Sequence, residues 1–156
     1  MPGSLAMIQP ATWRDLNSLR HLEHLCFLKD AWPLLDLVGV LTLPSVVRLK
    51  AEMDEQADGQ AHRLMVGFIA GDIRSSQQMA WIATIGVLPD YRGRGIGRRL
   101  LEACEALIHE PRIRLCVRAS NQAAIQLYLN SAYQRAGIWP NYYQDGEDAL
   151  VMEKKL

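Results

Sequence analysis

The residues best placed to do chemistry lie in one stretch, Ile85-Gly86-Val87-Leu88-Pro89-Asp90-Tyr91-Arg92-Gly93-Arg94-Gly95-Ile96-Gly97-Arg98-Arg99-Leu100-Leu101. It reads as an apolar strand, a short turn, a glycine-rich basic loop and an amphipathic helix. Glycines at 93, 95 and 97 let the backbone approach a ligand closely. The loop opens a helix, so free N–H groups and the positive end of the helix dipole converge there. Such a site suits phosphate or pyrophosphate, and Arg92, Arg94, Arg98 and Arg99 add positive charge beside it. A dinucleotide fingerprint does not fit, because the final glycine position of G-x-G-x-x-G falls on Arg98 or on Leu100. The Gly-Lys-Ser/Thr of a Walker loop is absent. Taken alone, the glycines are equally consistent with a plain strand-to-helix turn.

The elements around this loop must come from an ordinary globular chain. The 156 residues suit one domain spanning 1–156, with 49% apolar and 22% charged residues. Lys+Arg and Asp+Glu are both 17, so net charge gives no reason to expect nucleic acid. The basic residues cluster at the loop, as in an anion pocket, and do not spread over a face as duplex binding requires. Cys26, Cys104 and Cys116 form no closely spaced pair, so there is no zinc pattern and no disulfide framework, and a reducing cytoplasm is the expected compartment. The apolar run Leu34 to Val47 is interrupted by Asp36, Gly39, Thr42 and Pro44, so no membrane span is expected. The first residues, 1–5, read as a disordered start without signal-peptide character.

Along the chain, Ala6 to Pro10 reads as a first strand. Thr12 and Asp15 read as a helix start, followed by Leu16, Leu19, Leu22 and Cys26 on one helical face. Leu34 to Glu52 reads as one or two short helices split near Pro44, and Asp54 to Gln60 as an exposed loop. Leu64 to Ile73 and Met79 to Val87 read as strands around a Ser75–Gln78 turn. The helix from Gly95 should bury Leu100, Leu101, Cys104, Leu107 and Ile108. Ile113 to Val117 reads as a strand, and Ser120-Asn121 as the cap of a helix carrying Ala124, Ile125, Leu127 and Tyr128. Tyr133 to Trp139 and Ala149 to Lys154 read as a closing strand pair around the Asp145-Gly146 turn. The mixture predicts an α/β or α+β layer fold.

Arg92-x-x-Gly95-x-Gly97 is similar to the coenzyme A pyrophosphate loop of the GNAT acetyltransferase superfamily. Three further stretches resemble its RimI-type branch, which acetylates the amino terminus of a ribosomal protein: Val117-Arg118-Ala119-Ser120-Asn121-Gln122-Ala123-Ala124-Ile125-Gln126-Leu127-Tyr128, the pair after Asn141 in Asn141-Tyr142-Tyr143, and Glu147-Asp148-Ala149-Leu150-Val151-Met152. The resemblance covers about half the chain, is weak over 30–62, and departs at Pro140, where an arginine is common. It implies a GNAT fold: a central mixed, mostly antiparallel sheet of about seven strands, splayed at the acetyl-CoA site and flanked by four or more helices. It implies acetyl-CoA as co-substrate, without a metal. Ile85, Gly86 and Val87 would meet the pantetheine arm, and Arg92, Gly93, Arg94, Gly95, Ile96, Gly97 and Arg98 the pyrophosphate. Asn121 would bind the pantetheine side, Tyr128 would be the general acid, and Tyr142 and Tyr143 would line the acceptor.

Each of these residues has a plainer reading. Tyr128 suits a core position with a satisfied hydroxyl, Asn121 a helix cap, and Tyr142 and Tyr143 ordinary strand aromatics. The position that usually carries a glutamate base in the group is Cys116, and the tyrosine-base position of related enzymes is Trp81. A thiol near its ordinary ~8.5 is a weak base at neutral pH, and burial raises it; Glu23, Glu52 or a water chain could serve instead. An α-amine at about 7.7–8.0 supplies far more neutral nucleophile near pH 7 than a lysine at about 10.4. The expected function is therefore acetyl transfer to a protein or peptide N-terminal amine, by a monomer or homodimer. Acetylation of a small amine, and a weakly catalytic acetyl-CoA-binding regulatory module, are the alternatives.

Overall fold

The computed structural model describes residues 4–156. Of the expected disordered start, residues 1–3 lie outside the described residues, and Ser4 and Leu5 are exposed and outside any helix or strand. Among the described residues seven strands form one sheet in the order β1-β2-β3-β4-β5-β7-β6. They are β1 (Met7–Pro10), β2 (Val46–Ala57), β3 (Gln60–Arg74), β4 (Met79–Val87), β5 (Arg112–Arg118), β6 (Gln134–Trp139) and β7 (Ala149–Lys155). Among the same residues the α-helices are α1 (Leu16–Phe27), α2 (Leu34–Thr42), α3 (Ile96–Ala106) and α4 (Gln122–Asn130). The sheet is mixed. β1–β2, β5–β7 and β6–β7 are antiparallel, and β4–β5 is parallel.

The β4–β5 ladder is short. It runs over Ala80↔Ile113 and Trp81↔Arg114, whereas β4 continues to Val87 and β5 to Arg118. The chain divides into two compact units, Met1–Gly71 with Thr84–Leu107, and Asp72–Ala83 with Ile108–Leu156.

In the first unit, α1 carries Leu19 and Leu22 at helical spacing, and both are buried with Leu37 of α2 and Phe68 and Ile69 of β3. Each such side chain contributes about 1.5–3 kcal/mol by leaving water. Gly86 is where α1 meets β4. A Cβ there would stand 3.2 Å from Cys26 Sγ and from Phe27 Cε2, and 3.3 Å from Leu22 Cδ2. The turn before α1 is tied by the Thr12 N–H, which donates to Asp15 Oδ2 at 2.8 Å. In the second unit Ile125 and Tyr128 of α4, Tyr133, Ile113 and Leu115 of β5 and Met152 of β7 are all buried.

Three expectations are corrected. The segment after Pro44 is the long strand β2, not a second helix. Its Leu49 and Ala51 alternate into the core, and pairing with β1 (Ile8↔Ala51, Pro10↔Leu49) overrides the helix-forming residues Lys50 to Met53. The expected loop at 54–60 is the end of a hairpin, turned at Asp58 and Gly59 with φ of 52° and 76°, the paired left-handed conformations of a two-residue hairpin turn. Leu107 lies past the end of α3 and is exposed, while Leu100, Leu101, Cys104 and Ile108 are buried as expected.

Candidate functional site

The glycine loop sits in the first unit between β4 and α3. Gly93 and Gly95 have φ of 74° and 78°, a region that costs other L-residues roughly 1–2 kcal/mol. A Cβ at either position would meet nothing within 4 Å, so the loop backbone faces open space. Gly95 is the N-cap of α3, and no side chain caps it. Ile96, Gly97 and Arg98 supply the first-turn N–H groups that have no partner within the helix, and the first helical bond is Arg99 N–H to Gly95 C=O at 3.1 Å.

The arginines divide their work. Arg92 Nε donates to Val87 C=O at 3.0 Å, and an Arg94 guanidinium N–H donates to Asp90 C=O at 3.1 Å, so both brace the loop from behind. Arg98 pairs with Glu102 one turn along at 2.8 Å, and Arg99 donates to Ala6 C=O at 2.7 Å. The open backbone and the uncapped helix end fit a pyrophosphate. The guanidinium of Arg98 is directed to its carboxylate partner.

Ile85, Gly86 and Val87 end β4 beyond its ladder with β5. The Cys26 thiol donates to Val87 C=O at 3.3 Å. Beneath them lies a carboxyl that sequence reasoning offered only as one of several spare bases. Glu23 on α1 is 1% exposed; Thr84 Oγ1 donates to its Oε1 at 3.0 Å, and among the described residues nothing stands in good hydrogen-bond geometry to its buried Oε2. Burial pushes this carboxyl above its ordinary value, against the lowering by Thr84 and, more weakly, by the Trp32 backbone N–H. A glutamate on a helix gives no sequence signal of such burial.

The remaining candidates belong to the second unit. Cys116 on β5 is half-buried, and burial pushes its thiol up to about 11. Asn121 caps α4, its Oδ1 accepting the Ala124 N–H at 3.2 Å. Tyr128 is buried on α4, edge-on to Tyr133 with ring centroids 5.9 Å apart. Burial, with a smaller contribution from Tyr143, raises its phenol above the ordinary value, so the hydroxyl keeps its proton at neutral pH. Tyr142 and Tyr143 lie in the β6–β7 connection with their rings at 87° and 5.1 Å apart.

That connection is held by a network the sequence did not reveal. Arg118 reaches Asp145 at 2.9 Å and Glu147 at 2.8 Å while stacking on Tyr143 at 4.1 Å. Glu147 also accepts the Ser120 N–H at 2.8 Å. The Ser120 bonds, and then Arg118, hold the Glu147 carboxyl below its ordinary range. The start of α4 and the tyrosine pair are thereby fixed to one another.

A family model described as "Acetyltransferase (GNAT) family" matches residues 18–133, from α1 to the end of α4 and beyond. The chain belongs to this family. An uncharacterized N-acetyltransferase of Methanocaldococcus jannaschii is 30% identical over 157 residues, covering 96% of this chain and 91% of that one. The [ribosomal protein bS18]-alanine N-acetyltransferase of Salmonella typhimurium is 45% identical over 82 residues, 47% of this chain and 53% of that protein. The N-alpha-acetyltransferase RimI of Mycobacterium tuberculosis is 43% identical over 74 residues, 47% of each. The match thus spans about half the length of these last two relatives. Among solved structures, the ribosomal-protein-S18-alanine N-acetyltransferase of Escherichia coli superposes with a TM-score of 0.78 at 28% identity, over 97% of this chain and 94% of that one. The GNAT fold expected from the glycine loop is the fold present, seven strands and four helices included. No described helix is long and apolar enough to cross a membrane.

Proposed function

We propose that residues 1–156 act as one acetyltransferase domain that moves the acetyl group of acetyl-CoA onto the α-amine of a protein or peptide N terminus, in the cytoplasm. The observation that carries this reading is the uncapped start of α3 behind two left-handed glycines, in a chain of the GNAT family. Acetyl-CoA supplies an acyl group on a thioester: a C–N bond forms, the C–S bond breaks, coenzyme A leaves as its thiol, and the amine gives up a proton.

In this reading Gly93 to Arg98 hold the pyrophosphate through backbone N–H groups and the helix dipole. Ile85, Gly86 and Val87 pair with the pantetheine arm where β4 has left its ladder with β5, and the Val87 N–H stabilises the developing oxyanion. Asn121 keeps its cap while its amide faces the pantetheine side. Tyr128, which holds its proton at neutral pH, is the general acid: it gives that proton to the departing sulfur and is reprotonated at the expense of the proton the amine loses. Tyr142 and Tyr143, locked through Arg118, hold the acceptor in line for attack, and such positioning supplies several kcal/mol. Cys116, a protonated thiol at neutral pH, does not act as the base, so the amine must arrive neutral, which favours an α-amine over a lysine.

The relatives named for acetylation of protein N termini support the peptide acceptor over a small amine. The test is free-thiol release from acetyl-CoA with N-terminal peptides, lysine-only peptides with blocked N termini, and polyamines. Peptide α-amines should turn over fastest. Turnover confined to small amines would move the protein to that class, and acetyl-CoA binding without turnover would make it a regulatory module.

A further inference from the structure

The tyrosine pair proposed to hold the acceptor continues into two tryptophans that have no part in the chemistry above. The rings of Trp81, Trp139, Tyr142 and Tyr143 form a continuous ladder. Trp81 of β4 lies 5.7 Å from Trp139 at the end of β6, Trp139 lies 5.4 Å from Tyr142, and Tyr142 lies 5.1 Å from Tyr143. The ladder is not sealed in a core: Trp139 is 40% exposed and Tyr142 54%. Large apolar side chains left together in water mark an interaction site, and tryptophan and tyrosine supply large, stiff contact surfaces.

The surroundings specify what would sit there. A guanidinium closes each end, Arg74 at 5.6 Å from the Trp81 ring and Arg118 at 4.1 Å from Tyr143. Both cations are compensated, Arg74 by Asp72 at 3.0 Å and Arg118 by Asp145 and Glu147. The negative ring faces disfavour an anionic side chain, and the cations that such faces attract are already supplied by Arg74 and Arg118. An apolar side chain gains the ring faces. There is also room: Gly137 precedes Trp139 by two positions on β6, on the same sheet face, and a Cβ at Gly137 would meet nothing within 4 Å.

We propose that this ladder is a recognition wall for a large apolar side chain, of the methionine, leucine or phenylalanine kind, within the first two residues of the acceptor. The proposal rests on the peptide-acceptor reading, since Tyr142 and Tyr143 belong to both. It assigns Trp139, and Trp81 behind it, a role in choosing the substrate.

The test uses the full chain, acetyl-CoA and peptides identical except at residues 1 and 2, which carry Met, Leu, Phe, Ala, Gly, Ser, Asp or Lys. The expected kcat/KM favours the large apolar peptides over the small and charged ones by about 10-fold or more, the scale of discrimination by apolar pockets. Trp139→Ala should bring that ratio close to one without changing acetyl-CoA affinity. Trp139→Phe should keep most of it, and Trp139→Gln is the second polar-sized variant if the alanine form does not fold. Peptides acetylated without an apolar preference, or a preference that survives in a folded Trp139→Ala or Trp139→Gln, would overturn the wall and leave the peptide reading standing. Failure to acetylate any peptide would overturn both.

Discussion

Gly95→Ala separates two consequences of the same backbone geometry. Gly95 holds φ 78° at the N-cap of α3, and a Cβ there would touch nothing within 4 Å. The free protein should therefore suffer strain but no clash, roughly 1–2 kcal/mol. For a domain of this size each kcal/mol lowers Tm by about 2–4 °C, so a fall of about 2–8 °C is expected. If the loop holds the pyrophosphate as proposed, the methyl group enters the space the phosphate needs, and acetyl-CoA affinity should fall by at least about tenfold, or about 1.4 kcal/mol. Gly95→Asn tells strain from obstruction, because asparagine adopts this conformation more readily. It should recover much of the lost Tm and none of the lost affinity. Thermal unfolding and titration calorimetry with acetyl-CoA are the assays. Unchanged affinity in Gly95→Ala would refute the loop assignment, and recovery of affinity together with stability in Gly95→Asn would refute the close-approach argument.

Tyr128→Phe should lower kcat by about 10²–10⁴-fold with acetyl-CoA affinity nearly intact; a fully active variant in steady-state kinetics would return Tyr128 to a packing role. Cys116→Ala should keep substantial activity, because a thiol held at about 11 carries its proton at neutral pH, and kcat/KM should rise with pH as the acceptor amine deprotonates. Cys116→Glu should extend that profile to lower pH, while collapse of a folded Cys116→Ala would make the thiol catalytic. Glu23 carries a raised carboxyl in the folded protein, so its contribution to stability is fully present below about 4.3 and is lost as pH rises through the raised folded value. Glu23→Gln keeps an acceptor for Thr84 and removes the titrating carboxyl, so urea unfolding should find it more stable than the parent at pH 7 and level with it at acid pH. Lower stability at pH 7 would mean that the carboxylate is compensated in the fold.

The loop's backbone was legible because its left-handed residues, Gly93 and Gly95, are glycines the sequence displays between an apolar strand and an amphipathic helix. β4 matched its expected bounds, Met79 to Val87, because its apolar run is closed by Pro89. β2 was not legible: Lys50-Ala51-Glu52-Met53 favours a helix locally, and only pairing with β1, distant in sequence, makes it a strand. The same distance hid the site's supports. Glu23 reads as a surface helix residue until Thr84 is brought to it, Arg118 as a strand charge until the 145–147 turn closes on it, and Trp81 and Trp139 as unrelated aromatics until their rings meet. Short motifs carry backbone geometry, whereas buried charges and ring contacts are properties of the assembled sheet.

The central claim is that the acetyl group goes to an α-amine. It is tested most directly with one peptide that carries both a free N terminus and an internal lysine, incubated with acetyl-CoA and the protein near pH 7 and fragmented by tandem mass spectrometry. Acetylation at the N terminus, with the lysine untouched, is the predicted result. An acetyl group on the lysine, or an unmodified peptide under conditions where acetyl-CoA binds, would contradict the account.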